Sequence, residues 1–446
     1  MERNDLIRTE ITGWSSDGAG VARPAGLAVF VSGGVPGDVC DIRVTKVAKT
    51  HAFARVENLV EPSALRVEND CEAFPKCGGC ALRHVSYAAE LEMKYSRVSD
   101  CLRRIGGLEI TPEPILPAPK TESYRNKAVY QLGFTNSGER EKPAAGFYSR
   151  ASHDIVAPAR CLIQSERANT AATVFLEAAE KFGVEIYDER DRSGDVRHLF
   201  YREAADGSAQ LVVCAKTKKI AEAAEFIAER LPWIPGLMLC QSDEDTGAQL
   251  AGKISVLFGA DRLRDRLCGL DFDISPRSFY QVNREQAERL YALAIDFAEL
   301  DGTETALDLY CGIGTITLCI ARHARRVVGA EIVPEAIADA KENAALNHIE
   351  NAEFFCGDAA DIASGTDEKF DVVFCDPPRK GLSPEAVAAV AALKPQKIVY
   401  VSCDPATFAR DLKIFAAEGY KTLRVRPVDM FPRTSAVEAV ALMVRG

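Results

Sequence analysis

The chain predicts a doubly wound, mainly parallel α/β sheet after about residue 276, and three observations carry that expectation. First, strand-like runs (ALDLY, VVGAE, AEFFCGD, DVVFCDPP, KIVYVS) alternate with helical ones (TITLCIARHA, PEAIADAKENAALN, PEAVAAVAALK, PATFARDLKIFAAEGY). Second, the first strand runs through Cys311-Gly312-Ile313-Gly314 directly into a helix, where two glycines let a ligand approach the backbone. Third, acids stand at three consecutive strand ends: Glu331, Asp358 and Asp376. The carboxyl edge of such a sheet is where ligands bind.

The elements before this sheet read differently. Residues 1–60 alternate short β-rich runs with the turn clusters SSDGAG, RPAG and SGGVPGD, which predicts a small antiparallel barrel of the OB type. Lys46, Lys49, His51 and Arg55 follow or end its strands; they make either a solvated face or a nucleic-acid surface. Within LEMKYSRVSDCLRRI, Leu91, Tyr95, Val98, Leu102 and Ile105 fall at helical spacing, with Lys94, Arg97, Arg103 and Arg104 on the opposite, polar face. Prolines 112, 114, 117 and 119 then interrupt regular structure, and residues 120–270 continue as mixed strands and helices. Asn283 followed by Gln286 predicts a capping box opening NREQAERLYALAIDFAEL. Three domains are expected, at 1–60, 61–270 and 271–446, since 446 residues exceed what one core usually serves.

Bulk composition narrows the function classes. The charged N-terminus has no apolar signal core and no apolar run is long enough to cross a bilayer, so a cytoplasmic address without membrane contact is expected. The net charge of −11 argues against a polyanionic partner until its distribution is seen. Residues 1–150 hold 20 Lys and Arg against 19 Asp and Glu, whereas 151–446 hold 34 against 46. An RNA-contacting N-terminal part is therefore permitted. Fourteen cysteines in a chain of this size do not suggest a disulfide framework, and Cys214, Cys319 and Cys375, in apolar runs, read as core.

Two constellations carry chemistry. The strand-end acids beside the glycine turn suit a nucleoside: Glu331 is placed to hold ribose hydroxyls and Asp358 to face adenine. The turn lacks the full GxGxxG pyrophosphate cradle, which favours S-adenosylmethionine over NAD. Cys403 ends a strand just before Pro405 and a helix, where a helix N-terminus would lower its pKa and make it a nucleophile; the alternative is a buried structural cysteine. A third constellation, Cys71-x5-Cys77-x2-Cys80, suggests metal, with thiolate ligation fitting zinc or iron and sulfide. A fourth ligand would have to come from elsewhere in the chain.

The motifs ISPRSFYQVN (274–283), DLYCGIGT (308–315), FCDPPRKG (374–381), IVYVSCDPATFARDL (398–412) and VDMFPRTSAVEAV (428–440) give the chain a resemblance to the TRAM-domain-containing bacterial RNA (uracil-5-)-methyltransferases, particularly those acting on 23S ribosomal RNA. It spans nearly the whole chain. It implies a Rossmann-like methyltransferase domain behind a TRAM barrel and a central α+β iron-sulfur domain, with RNA as partner and no obligate protein partner. It places the nucleophile at Cys403, the general base at Glu438, and cofactor contacts at Gln281, Tyr310, Thr315, Glu331, Asp358 and Asp376, around Gly312 and Gly314. It also implies a [4Fe-4S] cluster on Cys71, Cys77, Cys80 and Cys161. Two positions depart from the family pattern. Asp404 stands where Asn is usual, bringing a negative charge that would raise the neighbouring thiol's pKa, and Thr315 stands where Asn is frequent.

Three rivals remain on sequence grounds. A transfer-RNA uracil methyltransferase would carry the same motifs. An exocyclic-amine methyltransferase is suggested by Asp376-Pro377-Pro378, but Arg379 replaces its aromatic residue and the Cys403/Glu438 pair would be idle. A non-catalytic RNA-binding or chaperone protein would need neither nucleophile nor cofactor turn.

Overall fold

In a computed structural model, residues 1–135, 142–150, 152–242, 250–365 and 368–446 are described. The first 61 residues form a six-stranded sheet wrapped around Ile11, Val29, Val31, Cys40, Ile42 and Ala52, all fully buried. The expected barrel is not wholly antiparallel, because Ala28–Ser32 pairs in parallel with His51–Glu61. The cause is local: Val39–Val47 forms an antiparallel pair with His51–Glu61, so the strand before it must run in the same direction as the strand after it.

A helix over Tyr87–Cys101 follows, N-capped by the Ser86 hydroxyl, which accepts from the Ala89 amide. One further turn, Leu102–Gly106, ends at Gly107 with φ 64°. The expected polar face of this helix is corrected by the structure. Lys94 is completely buried, because the segment from Asp429 packs across it.

The middle of the chain builds a seven-stranded mixed sheet. Its order is Lys253–Gly259, Gly236–Gln241, Ala209–Ala215, Val196–Glu203, Lys127–Thr135, Lys142–Tyr148 and Ile155–Val156. Helices Glu166–Lys181 and Ala224–Arg230 contribute Phe175, Ala178 and Ile227 to the core on one face. Arg202, 2% exposed, ties this sheet to the next domain by donating to the carbonyls of Ser275 and Ser278.

The last domain has a seven-stranded sheet whose strands we number β1 (Thr305–Leu309), β2 (Arg326–Glu331), β3 (Ala352–Cys356), β4 (Val372–Cys375), β5 (Lys397–Ser402), β6 (Tyr420–Val428) and β7 (Glu438–Arg445). Their order is β3-β2-β1-β4-β5-β7-β6, parallel except for β7, which runs antiparallel to both neighbours. Helices are α1 (Arg284–Ala298), α2 (Thr315–Ala321), α3 (Pro334–Leu346), α4 (Ala359–Ser364), α5 (Pro384–Ala392) and α6 (Pro405–Ala417). One core lies under α1, α2 and α3; the other lies under α5 and α6, where Val98 and Leu102 of the Tyr87–Cys101 helix join Phe408, Leu412 and Phe415. The sheet is thus covered on both faces, as its apolar strands require.

At the start of α1 the Asn283 side chain accepts from the Gln286 amide, so the expected cap forms. It is not reciprocal, since the Gln286 side chain donates instead to the Leu116 carbonyl. Among the described residues no helix is long and apolar enough to cross a membrane.

Candidate active site

The carboxyl edge of the last sheet gathers the strand-end residues. After β1 the chain turns through Tyr310 (φ 68°), Gly312 (φ 54°) and Gly314 (φ 83°) into α2. A Cβ on Gly312 would meet nothing within 4 Å, so the outer side of this turn is open. A Cβ on Gly314 would stand 3.2 Å from the Phe354 ring, so this glycine serves packing against β3. Glu331, the last residue of β2, lies beside the turn and accepts from the amides of Gly312 (3.3 Å) and Val333 (3.0 Å). The Thr315 hydroxyl is 3.1 Å from the Tyr291 hydroxyl, which α1 supplies from within the core. Gln281 is buried, and its backbone carbonyl accepts from the Asn126 side chain. Asp358 caps α4, accepting from the Ala360 amide at 2.9 Å.

Asp308, within β1, is fully buried; one carboxyl oxygen accepts from Thr317 at 2.5 Å and the other has no partner. Burial pushes its pKa up to about 8. Asp376, one residue past β4, keeps part of its surface open to the cleft yet is ringed by protein, and the loss of solvent raises it to about 7.

Strand register brings the reacting pair together. Ser402 of β5 pairs with Ala439 of β7, and since the strands are antiparallel the next residues, Cys403 and Glu438, leave the ladder side by side. Glu438 is 5% exposed, and burial first, then Asp376, raises its carboxyl to about 8. Burial also pushes the Cys403 thiol up to about 11, with Glu438 and Asp376 adding to the shift and Arg379 opposing it. The expected lowering by the helix N-terminus is therefore not what the structure has. Asp404 is the reason: its carboxylate caps α6, taking the amides of Ala406 (3.0 Å) and Thr407 (2.9 Å), so those amides do not serve the thiol. Asp404 itself faces Arg97 across 3.9 Å.

Reading the sequence missed two residues here. Arg379 opposes the shifts of both Cys403 and Glu438; its signal was its place directly after Asp376-Pro377-Pro378. Phe279 is 68% exposed, an aromatic ring held in solvent two residues before Gln281. Large exposed rings of this kind mark contact surfaces.

The four cysteines named above meet around a separate cavity of about 340 Å³, also lined by Phe74, Arg83, Arg125 and Lys127. Burial raises the Cys80 thiol to about 12, with Cys161, Cys77 and Cys71 adding to the shift and Arg83 opposing it. The Gly79 amide donates to the Cys77 sulfur at 3.4 Å. Among the described residues no group of three or more Cys, His, Asp or Glu converges to hold a single metal ion. The donor set is nevertheless all thiol around one cavity, which suits a cage bound through several irons better than one zinc.

Comparison with known proteins places these features. A family model described as tRNA (Uracil-5-)-methyltransferase matches residues 251–445, and one described as TRAM domain matches residues 2–56. The chain is 40% identical to an uncharacterized RNA methyltransferase of Bacillus cereus, over 100% of this chain and 98% of the relative. It is 39% identical to another from Clostridium tetani, over 99% and 97%. Among solved structures, the Pyrococcus abyssi tRNA (uracil-54, C5)-methyltransferase in complex with S-adenosyl-L-homocysteine is similar, with 29% identity, a TM-score of 0.80, and coverage of 98% of this chain and 99% of that one.

Proposed function

The chain belongs to the TRAM-containing RNA (uracil-5-)-methyltransferases, and from that premise we propose that it methylates carbon 5 of a uridine in 23S ribosomal RNA, with S-adenosylmethionine as donor, Cys403 as nucleophile and Glu438 as base. The observation that carries this reading is the juxtaposition of Cys403 and Glu438 at adjoining strand ends, beside an open glycine turn flanked by acids.

Carbon 5 of uracil is too weak a nucleophile to take a methyl group unaided. Addition of the Cys403 thiolate to carbon 6 makes the ring an enolate, whose carbon 5 attacks the methyl carbon as the carbon–sulfur bond of the donor breaks. Glu438 then takes the proton from carbon 5, the electron pair re-forms the ring double bond, and the bond from carbon 6 to Cys403 breaks, restoring the thiolate. A base stacked in a helix cannot reach both groups, so the target must be unstacked.

We assign the donor to Gln281, Tyr310, Gly312, Gly314, Thr315, Glu331, Asp358 and Asp376. Glu331 holds the ribose hydroxyls, Asp358 faces the adenine, and the open side of Gly312 admits the donor to the backbone. The resemblance, the neighbour crystallised with S-adenosyl-L-homocysteine and the absence of a pyrophosphate cradle support this assignment.

Cys71, Cys77, Cys80 and Cys161 would hold a [4Fe-4S] cluster; uracil methylation transfers no net electrons, so what it supplies is rigidity or RNA positioning. For the RNA we assign a cleft of about 620 Å³ between the barrel and the Tyr87–Cys101 helix, lined by Trp14, Phe30, Arg23, Arg97 and Arg104. Rings stack bases and guanidinium groups pair phosphates. Arg97 joins this cleft to the reacting pair, donating to the Ser435 carbonyl at 2.9 Å and facing Asp404. We assign the enzyme to the cytoplasm. The Pyrococcus abyssi neighbour is described as acting on transfer RNA, which makes transfer RNA the second reading.

The test uses RNA carrying 5-fluorouridine, in which carbon 5 has no proton for Glu438 to remove. A covalent protein–RNA species bearing one added methyl group and mapping to the Cys403 peptide is expected. Trapping from 23S rather than transfer RNA transcripts selects the substrate. An adduct on another residue, or none with either RNA, would overturn the mechanism.

A further inference from the structure

The segment from Asp429 to Val437 leads directly into Glu438, and it is held in an unusual way. The Lys94 ammonium, fully buried, donates to Glu90 Oε1 at 2.7 Å, to Asp429 Oδ1 at 2.6 Å and to the Phe431 carbonyl at 3.1 Å. Both carboxylates are fully buried as well. Tyr87 donates to the second oxygen of Asp429 at 2.7 Å, and the Arg433 amide donates to Glu90 Oε1 at 2.8 Å. Arg433 adopts φ 70°, a left-handed conformation that non-glycine residues hold only where surrounding contacts impose it.

The carbonyls of the segment are taken by elements distant in sequence. Asn283 donates to Met430, Tyr124 to Pro432, and Arg97 to Ser435. The Arg433 carbonyl accepts from the amides of Ala81 (2.8 Å) and Leu82 (3.1 Å), the two residues that follow Cys80. A buried ion pair gives little net stability compared with apolar residues of the same shape, but it specifies one arrangement. Here the arrangement specified is that of the chain entering β7.

We infer that Asp429–Val437 is a strap that sets the position of Glu438, with Lys94 as its positioning residue at one end and the Cys77–Cys80 loop as its second anchor. The state of the cysteine site thereby reaches the active site through the backbone bonds from Ala81 and Leu82 to Arg433. This inference rests on the reading of Glu438 as base.

The test compares Lys94→Met, Tyr124→Phe and Cys80→Ala with the unaltered full-length enzyme, reading two quantities. Hydrogen exchange of peptides covering 429–441 should rise at least about tenfold in all three, with the exchange of α3 and β2 unchanged. In single-turnover reactions, methyl transfer to the adduct should stay within about twofold while release of methylated RNA slows about tenfold or more. Tyr124→Phe removes one hydroxyl and keeps the ring, so it remains informative should Lys94→Met fail to fold. Unchanged exchange over 429–441 in the folded variants, or equal slowing of transfer and release, would overturn the strap. Glu438→Gln separates the two readings. If it accumulates methylated adduct while the strap variants do not, only the strap fails; if it releases product at the normal rate, the assignment of the base fails.

Discussion

Two sets of buried carboxylates in this molecule follow opposite rules. Glu90 and Asp429 share the Lys94 ammonium and take further hydrogen bonds from Tyr87 and Arg433. Asp308, Asp376 and Glu438 have no cationic partner of that kind, and burial raises all three, to about 8, 7 and 8. A protein can bury an acid by pairing it or by keeping its proton on. The paired set fixes backbone geometry, whereas the unpaired set stands at the sheet edge where a base near neutrality is useful.

The largest effect expected from this contrast is on stability. Asp429→Ala leaves Lys94 with one buried partner and should lower the unfolding free energy by about 3–5 kcal/mol. Glu438→Gln should do the reverse in alkaline solution. Between the unfolded carboxyl pKa near 4.5 and the folded value of about 8, the folded state binds a proton that the unfolded state has lost. Stability from this group is therefore present at low pH and lost as pH rises through that window, and glutamine removes the slope. Urea unfolding at pH 5.5 and 8.5 measures both; a loss in Glu438→Gln as large as that in Asp429→Ala at pH 8.5 would end the distinction.

How much of this was legible in the sequence differs between the two sets. The strand-end acids could be read because each sits at the close of a local apolar run, and the glycine turn marks the same edge. Lys94 could not. A helical wheel places it among Arg97, Arg103 and Arg104, and only the packing of Asp429, 335 positions away, turns it inward. The thiol of Cys403 misled for a related reason: sequence shows a helix beginning beside it, but not that Asp404 takes the first free amides of that helix or that Glu438 arrives from the next strand. The cysteine triplet announced a site, yet Cys161 reached it only through resemblance.

A smaller effect sharpens the role of Glu331, which is neither paired with a cation nor raised. Its two oxygens accept backbone amides on either side of the strand end, so the carboxylate is preset beside the glycine turn. Glu331→Ala should weaken S-adenosylmethionine binding by about 1–3 kcal/mol, the usual effect of losing a hydrogen bond to a charged group. Calorimetric titration reads this directly, and affinity unchanged from the unaltered enzyme would remove Glu331 from the donor site.

The smallest effect is expected at Asp404, although it adjoins the nucleophile. Its charge would raise the Cys403 thiol if it faced the sulfur, but it is turned to the first turn of α6 and toward Arg97. Asparagine caps a helix about as well as aspartate, so Asp404→Asn should change unfolding free energy by no more than a few tenths of a kcal/mol. The same substitution should leave the pH dependence of Cys403 alkylation, followed on its peptide by mass spectrometry, nearly where it was. Glu438→Gln is the contrasting case: it removes the first-ranked charge among those raising the thiol, and should move the alkylation midpoint to lower pH. A downward move in Asp404→Asn as large as in Glu438→Gln would mean that Asp404 acts on the thiol after all, and that proximity in sequence outweighs the direction its carboxylate takes.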